Sequence, residues 1–136
     1  MMNKPMEYSN SDVWLLQSII WAFKNGKGDL TAIIGYADAL NHAILNWEEV
    51  RDGLSKLAKG GFVKQDGGNF LPLEKALKVY DQTINENVSP YDQRCLMLKI
   101  LNRSLEQVDS VSGNFTGCSK DAFEKALRAY VKNPTR

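Results

Sequence analysis

Apolar residues recur along most of this chain at the three-and-four spacing of a helix face. One interruption stands out. Between 62 and 71, two four-residue runs flank Asp66-Gly67. The pattern predicts a mainly helical protein with a single two-stranded antiparallel hairpin. Residues 46–71 carry the clearest sequence of signals. Asn46 offers a side-chain oxygen as an N-cap. Glu49, three residues later, completes a capping box and suits the positive helix end. Trp47, Val50, Leu54, Leu57 and Ala58 share one face, and Gly60-Gly61 stop the helix. Strands over 62–65 and 68–71 then follow about an Asp66-Gly67 type I′ turn. Pro72 cannot donate to a ladder, so the second strand ends there.

The same reading extends in both directions. Residues 1–9 read as a loose arm. Asn10 or Ser11 caps a first helix reaching Phe23, apolar nearly all round and so expected between neighbours. Residues 24–28 form a turn, and Asp29 caps a second helix with Leu30, Ile33, Ile34, Ala37, Leu40 and Ile44 inside. Gly35 weakens that helix by ~1 kcal/mol relative to alanine. After the hairpin, Leu73, Ala76, Leu77, Tyr80 and Ile84 mark a fourth helix. Ser89-Pro90 starts a fifth, with Tyr91, Cys95, Leu98, Leu101 and Leu105 on one face. Residues 109–117 read as a loop. Ser119 caps a last helix with Phe123, Ala126, Leu127, Tyr130 and Val131 inside, ended by Asn133-Pro134.

Composition narrows the function classes. The formal net charge is +1, so no global basic field draws nucleic acid. The balance over 24–71 is also zero: Lys24, Lys27, Arg51, Lys56, Lys59 and Lys64 against Asp29, Asp38, Glu48, Glu49, Asp52 and Asp66. Cys95 and Cys118 are too few for a disulfide framework, so reduced thiols in the cytoplasm are expected. No secretory signal is legible in residues 1–10, and the apolar run over 13–23 is too short to span a bilayer. His42 is the only histidine and carries no metal-site signature. Cys118 precedes a helix start, which favours a thiolate, but no base accompanies it. Residues 24–28 lack the spacing of a phosphate loop. Trp14 and Trp21 read as core or interface aromatics. An enzyme is not expected, nor a metal, a cofactor or a small-molecule ligand.

The order helix, helix, turn, helix, hairpin resembles the winged helix-turn-helix superfamily, and bacterial transcription regulators within it. Leu30, Ile33 and Ile34, then Glu49, Val50, Leu54 and Leu57, then the junction Lys59-Gly60-Gly61-Phe62-Val63 carry the resemblance. It covers about residues 11–80. It implies a winged helix-turn-helix domain over 10–86, with 87–136 a C-terminal helical extension that pairs subunits into a homodimer. It also implies double-stranded DNA as a partner, with Trp47, Arg51, Ser55, Lys56, Lys59 and Lys64 as the contacts and transcription regulation as the function. The charges oppose that implication. Glu48 and Glu49 occupy the first turn of the would-be recognition helix and repel phosphate, although a carboxylate can accept from cytosine. The wing offers one lysine and one aspartate, a thin phosphate grip. The alternative is a protein-interaction module that keeps this fold without binding DNA.

Overall fold

In a computed structural model the described residues are 7–103 and 116–132. They form α1 (Asn10–Lys24), α2 (Leu30–Asn41), α3 (Trp47–Lys59), β1 (Val63–Asp66), β2 (Asn69–Pro72), α4 (Glu74–Thr83), α5 (Pro90–Arg103) and α6 (Lys120–Lys132). The expected mainly α fold with one small antiparallel sheet is therefore present. Among the described residues, no helix is long and apolar enough to cross a membrane.

α1 is the centre of the molecule, with Val13, Leu15, Leu16, Ile19 and Ile20 fully buried. It meets α2, α3, α4, α5 and β2. Its cap is Ser9, not Asn10 or Ser11. Ser9 Oγ accepts from the Asp12 amide, and the Asp12 carboxylate accepts from the Ser9 amide at 2.8 Å. Only Ser9 has an acidic side chain three residues on, so only it closes the reciprocal box. The end of the expected loose arm is likewise tied down. Tyr8 is buried, and its amide and carbonyl both bond the Asn102 side chain.

Asp29 stands at the start of α2 but makes no side-chain cap. The sheet holds this entry instead. The Phe70 amide donates to the Gly28 carbonyl at 2.8 Å, and Asp29 bridges Asn69 in antiparallel fashion. The chain between α1 and α2 thus lies beside β2 as a one-residue third strand. A Cβ on Gly28 would stand 3.2 Å from both Asn69 Cβ and Leu71 Cδ2, a tight fit that a side chain would relieve only by moving its neighbours a few tenths of an ångström. α2 ends on His42, which takes a left-handed conformation. That turn breaks the helical phase. Ile44, expected inside, is exposed, and Leu45 is buried in its place.

α3 follows its sequence signals closely. Asn46 and Glu49 make both bonds of the capping box, and Val50, Leu54, Leu57 and Ala58 are buried. In the hairpin the turn falls one residue later than expected. Asp66 pairs with Asn69, so Gly67-Gly68 form the turn and Asp66 belongs to β1. Gly67 carries a positive φ and Gly68 does not, the placement of a II′ turn rather than I′.

The later helices keep their starts and shift some of their faces. Ser89 caps α5 and Ser119 caps α6 as expected. Ile84 falls just beyond α4 and is exposed, while Val79 is buried. In α5 the buried face is Gln93, Arg94, Met97 and Leu101. Tyr91 is 59% exposed, and Cys95 and Leu98 lie at the margin. Polar residues turn inward because α1 presents Gln17 there, whose amide donates to Gln93 Oε1 at 3.2 Å. In α6, Phe123, Ala126 and Tyr130 are buried and Val131 is exposed. Leu105, the 109–115 part of the expected loop, and Asn133-Pro134 lie outside the described residues.

Candidate nucleic-acid interface

α3 presents Glu48, Arg51, Asp52 and Lys59 to solvent, with Ser55 half-buried between them. This is the face on which the expected DNA contacts were placed. Its geometry separates them into three groups.

Trp47 is neither core nor freely displayed. Half-buried, it donates its indole N–H to the Cys118 carbonyl at 3.2 Å. The Arg51 guanidinium lies over its ring, 4.5 Å from the centroid. Arg51 also donates twice to Asp52, at 2.8 and 3.3 Å, in a two-toothed pair. The hydrogen bond from Arg51 holds the Asp52 carboxyl below its usual range, and the same bond raises the Arg51 guanidinium. Both side chains are exposed, so water screens the pair and it adds little to stability. Its effect is on the face: Arg51 carries its own counter-charge.

Lys56 turns away from solvent towards α1. Its Nζ stands 2.6 Å from the Asp12 carboxylate, which is almost fully buried. It also donates to the Glu7 carbonyl at 3.3 Å. The approach of the helices that makes this pair possible runs through Gly53, where a Cβ would come within 2.8 Å of Leu15 Cδ2. Lys56 therefore joins α3 to α1. Beside it, a shallow cleft of about 220 Å³ is lined by Asp12, Glu48, Glu49 and Asp52, with Lys56 as the sole basic side chain.

Lys59 and Lys64 form the third group. Both are exposed, and neither makes an ion pair among the described residues. Of the basic residues expected to contact DNA, these two alone form no ion pair among the described residues.

Two features of this region escape the sequence reading. Gln65, inward-facing on β1, grips the stretch before α6. Its Oε1 accepts from the amides of Thr116 and Gly117 at 2.8 and 2.9 Å, and its Nε2 donates to Thr116 Oγ1 at 3.0 Å. Together with the Trp47–Cys118 bond, this ties residues 116–118 to both the hairpin and the start of α3. The available signal was a polar residue two positions after Val63, on the inward side of a strand. The second feature is Asp12, legible only as the acidic partner of Ser9. Cys118 is buried, and burial pushes its thiol up, which works against the thiolate that a helix start would favour. His42 is exposed at the end of α2. Trp14 is buried and donates to the Ala37 carbonyl, and Trp21 donates to the Tyr80 hydroxyl. Compared with protein-family models, curated proteins and solved structures, the chain matches none.

Proposed function

We propose that this chain is a winged helix-turn-helix protein whose exposed α3 face serves protein–protein interaction rather than duplex DNA binding. The order of elements supports the fold: α1, a bridging residue, α2, a short turn, α3 and a hairpin, with the bridge as a rudimentary third strand. The observation that carries the functional reading is the neutralisation of the reading helix by its own chain. Arg51 is held by Asp52 and Lys56 by Asp12. Glu48 and Glu49, the latter held as the capping-box partner of Asn46, add two carboxylates to the first turn, where a groove-reading helix would meet phosphate. DNA affinity rests on several free cations releasing counterions together. Two lysines make a poor substitute. A mixed-charge face with a half-buried tryptophan and an arginine on it suits a protein partner better.

The second reading, a DNA-binding regulator, rests on Lys59 and Lys64, which are exposed at the end of α3 and on the hairpin. Titration of the wild type with random-sequence duplex near ~50 mM salt tests the choice, since non-specific binding is strongest at low salt. The expected result is no binding by the wild type. A variant carrying Glu48→Gln and Asp52→Asn, which frees Arg51 and removes two repelling charges, is expected to acquire weak, salt-sensitive binding. Salt-sensitive binding by the wild type itself, lost on Lys59→Ala, would favour the regulator.

A further inference from the structure

Arg94 is the most unusual side chain of the molecule. It is 1% exposed, and it is among the largest fully buried residues. No carboxylate pairs with it among the described residues. Its Nε donates to Gln17 Oε1 at 2.8 Å. Its Nη2 is buried with no hydrogen-bond partner among the described residues. The rings of Trp14 and Tyr91 stand 6.0 and 5.9 Å from the guanidinium carbon.

Among the described residues, the neighbouring side chains spend their hydrogen bonds elsewhere. The Gln17 amide donates onward to the Pro90 carbonyl and Gln93 Oε1. Gln93 donates to the Tyr80 carbonyl and Thr83 Oγ1, and Thr83 to Val79 and Tyr80 carbonyls. The donors of these side chains go to acceptors other than Arg94, and Gln17 Oε1, the acceptor Arg94 does reach, is taken by Nε. An arginine keeps its charge in proteins. A buried charge without a counter-ion is costly, and an orphaned buried N–H group calls for an account. Burial accordingly pushes the Arg94 guanidinium down from its ordinary value.

We infer that Arg94 is the floor of a binding site for a carboxylate, with Tyr91 as its movable cover. A planar carboxylate matches the forked donors of the guanidinium. Tyr91 is the element that can yield. Its ring is largely exposed, it makes no hydrogen bond among the described residues, and it sits in the first turn of α5. Trp14, by contrast, is buried and fixed through its indole N–H to Ala37. Cys95 and Leu98, half-exposed beside Tyr91 on α5, give the site an apolar rim. The carboxylate comes either from a small organic acid or from an acidic side chain of a partner.

The test is thermal unfolding of the full chain with sodium acetate, against sodium chloride at equal ionic strength. A ligand that binds only the folded state raises the midpoint, by roughly 5 °C at ten times its dissociation constant for a domain of this size. Acetate is expected to raise the wild-type midpoint in this way between about 1 and 100 mM, while chloride and the Arg94→Met variant show no such rise. The Arg94 Nε–Hε resonance of the wild type is expected to move with acetate at the same concentrations, a readout that needs no variant to fold. A blocked glutamyl peptide run in parallel separates the sources: tighter binding than acetate assigns the site to a partner's side chain, weaker binding to a small acid. An equal rise in Arg94→Met, or a wild type whose midpoint and Arg94 resonance both ignore acetate, overturns the inference.

Discussion

Tyr8 joins three parts of the chain at one buried point. Its backbone bonds Asn102 of α5, its ring meets Phe62 edge-on at 5.7 Å, and its hydroxyl reaches the Lys56 carbonyl at 3.4 Å. Burial, helped by the nearby Asp12 charge, pushes the phenol from 10.0 up to about 12. The consequence for stability has a definite sign. Below 10.0 the phenol is protonated whether the chain is folded or not, and its contribution is complete. Between 10.0 and about 12 the unfolded chain releases the proton while the folded one keeps it, so stability falls as pH rises through that window. Denaturation midpoints measured from pH 9 to 12 are expected to decline, and less so in Tyr8→Phe. An equal decline in both would place the loss elsewhere. Burial raises Tyr80 in the same direction, so the variant is needed to isolate Tyr8.

At the scale of elements, local chemistry was the legible part. The capping box at Asn46, the stripe through Val50, Leu54 and Leu57, and the serine caps of α5 and α6 are all written in a few neighbouring residues, and all are present. Apart from the α1 cap at Ser9 and the left-handed turn at His42, both local, what failed depended on distant partners. The turn moved to Gly67-Gly68 because the strand register also answers to the chain at Gly28-Asp29 packed beside β2. The α5 face rotated because Gln17, seventy-odd residues away, accepts polar neighbours. The candidate site was legible as a set of positions but not as a set of free charges, since the partners of Arg51 and Lys56 depend on rotamers and on helix approach. Gln65 is the element-scale link that most needs testing. Gln65→Ala removes its bonds to Thr116 and Gly117. Because these groups are partly exposed, a loss of about 1–2 kcal/mol is expected by urea denaturation. Hydrogen exchange at the Thr116 and Gly117 amides should speed up in the variant. Unchanged exchange there would mean that Trp47 and α6 hold the segment without Gln65.

For the whole molecule, the question is what the last two helices do. The resemblance implied that they pair subunits into a homodimer. Met97, Leu101, Phe123, Ala126 and Tyr130 instead close onto the rest of the same chain, chiefly α1 and α2. Tyr130 adds a 2.6 Å hydrogen bond from its hydroxyl to the Asp38 carboxylate. The apolar residues left exposed, such as Ile44, Ile84, Tyr91, Leu96 and Val131, are distributed over several elements. Light scattering at micromolar concentration is therefore expected to give the mass of a single 15.3 kDa chain. A mass of twice that value, unchanged on dilution, would restore the dimer.

The central proposal is a winged helix whose reading face is neutralised by its own chain. A gel-shift titration with random-sequence duplex at two salt concentrations tests it most directly. Each phosphate contact that releases counterions contributes a log–log slope of about −0.9. The wild type is predicted to shift no duplex even near ~50 mM salt, and Lys59→Ala and Lys64→Ala to change nothing. Wild-type binding that falls steeply with salt, and whose slope flattens by about one in either lysine variant, would contradict the account and return the α3 face to DNA.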